Sequence, residues 1–271
     1  MPRDLDRLYR ALGWDSRPRG SRFLESYRVF RKLLSMPPLE SLARKRAVSI
    51  LDACSGSGIG GFALAKALRD LGVEAEVVLL DARAQPLTEA KSFSATPLVD
   101  GVAADARLVP SRSRAFDACL VWGYSMPHFN PFEVHKLFSS ITRVLKSDGC
   151  LLIEEVDRFL SIFAGTGYQY VWPEQGGGLA ISIHRGYDPS TSVVRRALVD
   201  LRSGEAIDHE AFLLWTPALV AAFLHPYFAR IELFLLSEGA KGVVVACNPR
   251  KAFNPVEDGP RATPLARALW Y

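Results

Sequence analysis

Short apolar runs alternate with helical patterns between residues 47 and 155. Apolar runs that predict strands cover residues 47–52, 75–81, 98–104, 116–122 and 149–154. Helical spacing of apolar residues lies between them, at 62–71, 85–94 and 132–145. Several of the strand runs are continuously apolar, which is typical of strands covered on both faces. The pattern predicts a doubly wound, mostly parallel α/β sheet.

The pattern changes after residue 155. Residues 156–177 are rich in loop-forming residues, and 179–185 and 192–200 alternate as antiparallel strands do. This segment predicts a β-ribbon insertion. A helix is predicted at 216–224, and strands at 230–236 and 242–247 form a C-terminal antiparallel hairpin on the sheet edge, which brings the sheet to seven strands.

The N-terminal segment is polar up to residue 20, and residues 22–34 then show helical spacing. We expect a helical cap at 1–46, a ligand-binding domain at 47–247 with its insertion at about 156–210, and a poorly ordered tail at 248–271.

Charge is distributed unevenly along the chain. The net charge is +4, and most of the excess lies in the first 48 residues. A basic segment of this kind either binds nucleic acid or another anion, or is a solvated helix face. With 49% apolar residues, no apolar run near the ~18 residues of a membrane span and no leader-like start, the sequence predicts a cytoplasmic protein without a membrane segment.

The four cysteines are scattered, and each lies in or beside an apolar run. No C-x-x-C pair occurs, and the histidine spacings fit no metal-site pattern. We interpret the cysteines as small buried hydrophobic residues without disulfides, and we expect no metal.

A glycine-rich turn follows the first predicted strand, with Gly56, Gly58 and Gly61 in the G-x-G-x-x-G spacing of dinucleotide sites. Acids end three successive strands, at Asp52, Asp81 and Asp105. Strand carboxyl ends are where open α/β sheets bind ligands. An acid at Asp52, beside the turn, would repel a pyrophosphate, so a ligand without phosphate and with positive charge fits better.

S-adenosylmethionine (SAM) meets that description, because it carries a sulfonium and an ammonium group. Asp81 is placed to accept hydrogen bonds from ribose hydroxyls, since an ionised carboxylate is an acceptor only. Asp105 is placed to accept from the adenine amino group.

A family resemblance rests on four segments in order. Residues 48–58, VSILDACSGSG, resemble the first motif of class I (Rossmann-like) SAM-dependent methyltransferases, and 77–81, VVLLD, the second. Residues 103–121 are similar to the adenine-binding segment and fourth strand, and 142–154 to the helix, turn and fifth strand. The first glycine of the family's G-x-G-x-G is Cys54 here.

The resemblance implies methyl transfer from SAM by in-line displacement. The cofactor-binding positions it implies in the sheet and its loops are Asp52, Ala53, Cys54, Ser55, Gly56, Gly58, Asp81, Ala82, Asp105, Ala106 and Trp122. In this family N-terminal helices often close over the cofactor, and Tyr27 and Arg31 are the candidates to hold its carboxylate.

Candidate catalytic residues lie in the loop after the fourth strand. His128 is a candidate base, and Tyr124 is a candidate hydrogen-bond partner of the acceptor. The leading hypothesis is a small-molecule methyl acceptor. The alternatives are an RNA methyltransferase using the basic N-terminus, an NAD-dependent oxidoreductase, and a SAM-binding protein without catalysis. The oligomeric state is not indicated.

Overall fold

The computed structural model describes residues 2–13, 20–93, 98–174, 176–236, 240–250 and 266–268. The expected C-terminal tail, 248–271, falls largely outside the described residues, although the last long strand continues to Pro249. None of the described helices has the length and apolar character needed to cross a membrane.

Two sheets contain all the described strands. The strands are β1 (Ala47–Ala53), β2 (Glu74–Asp81), β3 (Leu98–Ala103), β4 (Phe116–Val121), β5 (Leu145–Val156), β6 (Val171–Pro173), β7 (Ala180–Asp188), β8 (Val193–Asp200), β9 (Ala206–Ala211), β10 (Phe228–Leu235), β11 (Lys241–Pro249) and β12 (Ala266–Ala268). The main sheet has the order β12-β10-β11-β5-β4-β1-β2-β3, and only β11 runs antiparallel to its neighbours β5 and β10. The predicted seven-stranded, mostly parallel sheet with its C-terminal hairpin is confirmed, and short β12 adds an edge strand.

Helices cover both faces of the main sheet. They are α1 (Pro2–Leu12), α2 (Ser21–Leu33), α3 (Glu40–Ala43), α4 (Ile59–Arg69), α5 (Ala84–Phe93), α6 (Pro131–Val144) and α7 (Pro217–Leu224). One apolar core lies under α2 to α5, and a second lies under α6 and α7. Asn130 precedes α6 as its N-cap, and its side chain accepts from the Glu133 N–H in a capping box. The loops at the ends of the main-sheet strands therefore lie between the two layers of helices.

Helix α1 was not predicted by the sequence pattern, because its apolar stripe is narrow and lies among charged residues. Leu8 and Ala11 are buried against Leu198 and Ile207 of the second sheet. Backbone hydrogen bonds fix its end, since the Gly177 N–H donates to the Gly13 carbonyl at 3.1 Å. The second sheet thus holds α1 in place.

The second sheet is antiparallel, with the order β6-β7-β8-β9. The sequence predicts two of its strands as a ribbon; β6 and β9 widen it to four. Arg196 is buried at its centre, 1% exposed, although none of its hydrogen bonds to the described residues goes to a carboxylate. Its five N–H donors meet five acceptors, which are the Ser182 hydroxyl, the Tyr168 hydroxyl and the carbonyls of Gln169, Tyr170 and Ser182.

The interpretation of the cysteines is wrong for two of the four. Cys150 and Cys247 are joined by a disulfide between β5 and β11. The two residues are direct cross-strand partners in an antiparallel pair, with Cα atoms 4.1 Å apart, and spacing along the chain cannot reveal such pairing. Cys54 and Cys119 are free thiols.

Candidate active site

The loop between β1 and α4 adopts left-handed backbone conformations at three positions. Gly56 has φ +53° and Gly58 has φ +86°, which glycine adopts without strain, whereas Cys54 has φ +62° with a side chain in place. Helix α4 starts at Ile59, so its first N–H groups face the loop. A backbone cradle next to a helix N-terminus results.

A pocket of ≈ 360 Å³ opens above this loop. The loop, α1, α2, the start of α5 and the end of β4 all contribute to it. Its lining residues are Asp6, Tyr9, Arg10, Gly13, Arg22, Cys54, Ser55, Gly56, Ser57, Ile59, Gly60, Arg83, Gln85, Pro86, Glu89, Trp122, Gly123 and Ser125. Cys54, Ser55, Gly56 and Trp122 are the sequence candidates among them.

Asp81 ends β2 directly beneath the pocket. Its Oδ2 accepts the Gly56 N–H at 2.7 Å, and its Oδ1 accepts the Arg83 N–H at 2.9 Å. The Arg83 side chain also donates to both oxygens. Arg83 therefore stands between the Asp81 carboxylate and the pocket.

Asp52 is fully buried and is not among the pocket-lining residues. Its Oδ2 accepts the Gly61 N–H at 2.7 Å, while its Oδ1 has no hydrogen-bond partner among the residues that the structure describes. Burial raises the pKa of Asp52 to about 7, and the nearby Asp81 charge adds to the shift. Near neutral pH this carboxyl is only partly ionised, which reduces its attraction for a cationic ligand. Its role in cofactor binding stays a prediction.

Asp105 follows β3 and caps the short 3-10 turn Ala106–Leu108. Its side chain accepts the Arg107 N–H at 2.8 Å and pairs with the Arg107 guanidinium at 2.6 Å. Hydrogen bonding to Arg107 holds the pKa of Asp105 below its ordinary value. Ala106 is buried behind it. The adenine-binding role of this segment remains untested.

The structure does not bring Tyr27 and Arg31 to the pocket. The Tyr27 hydroxyl donates to Asp70 at 2.6 Å, at the C-terminal end of α4. The loop between β1 and α4 lies at the other end of this 11-residue helix, about 16 Å away. Helix α2 instead contributes Arg22 to the lining.

Trp122 joins α2 to the pocket. Its Nε1 donates to the Ser26 hydroxyl at 2.9 Å, and its ring lies 4.3 Å from that of Phe30. A Cβ on Gly60 would lie 2.7 Å from the Trp122 Cβ, so the start of α4 packs directly on this side chain. Trp122 therefore forms a wall of the pocket and supports the loop.

Tyr9 of the pocket lining contacts His128, which is itself not among the lining residues. Tyr9 Oη and His128 Nε2 lie 2.6 Å apart, although the two residues are 119 positions apart in sequence. Desolvation, together with the positive charge of Arg83, lowers the pKa of His128, although the residue is exposed at the surface. Desolvation raises the pKa of Tyr9 to about 12. At neutral pH the imidazole is uncharged and the phenol is protonated. Sequence reasoning missed Tyr9; the apolar spacing of Leu5, Leu8 and Leu12 is the signal that could have placed it on a helix.

Tyr124 lies beside the pocket in a left-handed conformation, with φ +63°. Its hydroxyl is hydrogen-bonded to Glu154, whose Oε2 also accepts the Gly123 N–H at 3.0 Å. Burial raises the pKa of Tyr124 well above its ordinary value. Glu154, at the end of β5, was not predicted as a site residue, because an acid that follows an apolar run is commonly the solvent-exposed end of a strand.

The family comparison places residues 50–149 in a family of methyltransferase domains. That range runs from β1 through the turn before the apolar part of β5, and it includes the cradle, Asp81 and Asp105. These residues, 100 of the 271, form a methyltransferase domain. SAM is the cofactor that this family indicates for the domain.

Solved structures with the same fold as this chain come from several organisms. It is 17% identical to DesVI of Streptomyces venezuelae, with a TM-score of 0.56, covering 90% of this chain and 97% of that one. It is 18% identical to the sugar N-methyltransferase KedS8 from Streptoalloteichus, with a TM-score of 0.55, covering 91% and 93%. A SAM-dependent methyltransferase from Clostridium acetobutylicum is 13% identical, with a TM-score of 0.57, covering 82% and 91%. No curated protein matches the chain.

Proposed function

We propose that this methyltransferase transfers the methyl group of SAM to a small-molecule acceptor. The observation that carries the proposal is the pocket of ≈ 360 Å³, bounded by the cofactor loop on one side and by α1 on another. Its volume falls in the range of small-molecule sites. Cover by α1 limits access for a large polymer.

The loop from Ala53 to Gly58 fits SAM, because Gly56 and Gly58 leave the backbone open to a ligand. The Asp81 carboxylate lies at hydrogen-bond distance from that loop and suits a ribose diol. Asp105, with Ala106 beside it, and Ala82 are assigned to the adenine side. When bound, SAM supplies an electrophilic methyl group to a nucleophile held in line with it.

His128 and Tyr124 are assigned to the acceptor. The lowered pKa of His128 keeps its imidazole neutral at physiological pH, but it also makes the ring a weaker base than an ordinary histidine. Because Nε2 contacts Tyr9, Nδ1 is the atom assigned to accept a proton from the methyl acceptor. Tyr9 orients the imidazole through the 2.6 Å contact. Tyr124, fixed by Glu154, presents a protonated hydroxyl beside Gly123 of the pocket lining.

The RNA alternative is weakened by the pairing of the basic N-terminal segment. Several of its cations already contact carboxylates: Arg7 with Glu205, Arg44 with Glu40, and Lys45 with Asp117 and Asp148. Paired charges contribute less to phosphate binding. KedS8, which shares the fold, is a sugar N-methyltransferase, and this favours a small acceptor as well.

Two measurements test the proposal. Calorimetry should show SAM binding to the protein and no comparable NAD binding. Asp81→Asn should weaken SAM binding about 10- to 100-fold, since charge-assisted hydrogen bonds contribute about 1.5–3 kcal/mol. Equal SAM affinity of the variant and the wild type would remove the ribose assignment.

The acceptor class is tested with SAM carrying a labelled methyl group. The protein is incubated separately with the low-molecular-mass fraction and with the RNA of the same cells. We expect label in the small-molecule fraction. Label transferred only to RNA, with a steep salt dependence that is lost on deleting residues 1–46, would support the RNA alternative instead.

A further inference from the structure

Arg83 lies between Asp81 and α1, and only 12% of its side chain is exposed. Its Nε donates to Asp81 Oδ1 at 2.9 Å, and its Nη2 donates to Asp81 Oδ2 at 3.3 Å. The Tyr9 ring of α1 lies over the guanidinium, with 4.2 Å from its carbon to the ring centroid. The side chain is thus part of the pocket lining and is held on two sides.

The Asp81 carboxylate has reached its full number of hydrogen bonds. Two ionised oxygens offer about four acceptor positions. The backbone N–H groups of Gly56 and Arg83 take two of them, and the Arg83 side chain takes the other two. The backbone donors are fixed by the loop and the turn, so only the two side-chain bonds can be exchanged for bonds to a ligand.

We propose that Arg83 competes with the ribose diol of SAM for Asp81 and thereby sets the affinity of the cofactor site. This inference rests on the proposed function, in which Asp81 binds the ribose. The exchange is balanced, because two donors of the guanidinium leave the carboxylate and two hydroxyl donors replace them. The Gly56 and Arg83 backbone bonds to Asp81 are kept throughout.

A second acid lies within reach of the displaced guanidinium. Asp6 of α1 lines the same pocket, and its charge already helps to raise the pKa of Arg83. The Tyr9 ring remains available as a cation–π surface. The displaced side chain therefore moves from Asp81 toward a second carboxylate, that of Asp6, without becoming an unpaired buried charge, which would be costly.

The test is calorimetry with S-adenosylhomocysteine, which keeps the ribose and lacks the reactive methyl group. Arg83→Met should bind it about fivefold more tightly than wild type, because the ligand no longer displaces an ion pair. The matched control is Arg230→Met, since Arg230 also pairs with a carboxylate two residues away, Glu232, but on β10 away from the pocket lining. The control should bind with wild-type affinity.

The same titrations with a 2′,3′-dideoxy analogue of S-adenosylhomocysteine identify the group that competes. A ligand without the diol does not claim the two acceptor positions, so Arg83→Met should change its affinity less than about twofold. Arg83→Lys keeps the charge but loses the paired N–H donors of the guanidinium, so its gain in S-adenosylhomocysteine affinity should be intermediate. This variant replaces Arg83→Met in the test if the Met variant unfolds.

Each outcome is decisive. Unchanged or weaker binding of S-adenosylhomocysteine by a folded Arg83→Met protein overturns the inference while leaving the cofactor assignment intact, provided that the wild type binds. An equal gain for the ligand and its dideoxy analogue also overturns it, because the effect is then independent of the ribose. No binding by the wild type overturns the proposed function and, with it, this inference.

Discussion

Buried charged groups are paired differently at the centre of the second sheet and at the carboxyl edge of the main sheet. In the second sheet all five donors of Arg196 find acceptors, although the residue is 1% exposed. Buried polar atoms without a hydrogen-bond partner among the described residues are concentrated at the carboxyl edge of the main sheet, in Asp52, Glu155 and Arg158. Two more such atoms lie elsewhere, in Glu232 of β10 and in His209 of β9. Complete satisfaction is typical of a structural centre, whereas unmet polar groups concentrate where a protein binds or reacts.

Arg196 and Asp52 also differ in how the burial of their charge is compensated. The buried guanidinium of Arg196 has hydrogen bonds and the Trp172 ring, 3.5 Å from its carbon, in place of water. Asp52 instead has its pKa raised to about 7 by burial. We therefore expect a substitution in the second sheet to affect folding, and a neutralising substitution at the main-sheet edge to relieve an unfavourable charge.

The largest expected effect is at Arg196. Arg196→Met leaves buried acceptors unmet in β7 and in the segment before β6, so the free energy of unfolding should fall by about 3–5 kcal/mol. Urea denaturation followed by circular dichroism measures it. The adjacent Arg195 is exposed, and Arg195→Met should change stability by less than about 0.5 kcal/mol. Similar losses in both variants would contradict the comparison.

Sequence pattern predicted the main sheet well because its strands are continuous apolar runs with acids at their ends. Asp81 and Arg83 stand two residues apart in the sequence, yet their pairing depends on the Arg83 rotamer and on Tyr9, which folds over it from α1. Spacing along the chain carries no information on that contact.

The second sheet shows the same limit. The alternation along β8 places Arg196 on the same face as the apolar residues Val194 and Leu198, and this pattern indicates a buried arginine. Its acceptors come from residues 168–170 and from Ser182 on the neighbouring strand, and only tertiary structure brings them together. The disulfide of Cys150 and Cys247 was missed for the same reason.

A smaller effect is expected at Asp52, and it depends on pH. The folded-state pKa of about 7 exceeds the ordinary value of 3.8, so the folded protein holds a proton that the unfolded chain releases. This contribution is present below about pH 4 and is lost as the pH rises through 7. Asp52→Asn should therefore be more stable than wild type by about 2–4 kcal/mol at about pH 8, and the gain should shrink at about pH 5.

Denaturation at both pH values checks the Asp52 prediction. The pKa of Glu155 is also raised to about 7 by burial, so Glu155→Gln should remove a second part of the same slope. A stability difference between Asp52→Asn and wild type that does not change with pH would show that the carboxyl is ionised throughout and would break the contrast with Arg196.

The smallest effect is expected at Cys54, the one residue with a side chain among the three left-handed positions of the loop between β1 and α4. At a φ of +62°, a residue with a side chain is strained by about 1 kcal/mol, and glycine avoids this strain. Part of that gain is lost, because glycine gives up more chain entropy on folding. Cys54→Gly should raise the free energy of unfolding by about 0.5 kcal/mol and leave S-adenosylhomocysteine affinity within about twofold. Cys54→Ser keeps the strain and should show no gain. Destabilisation by Cys54→Gly would mean that the thiol packs against the pocket wall more strongly than the backbone resists it.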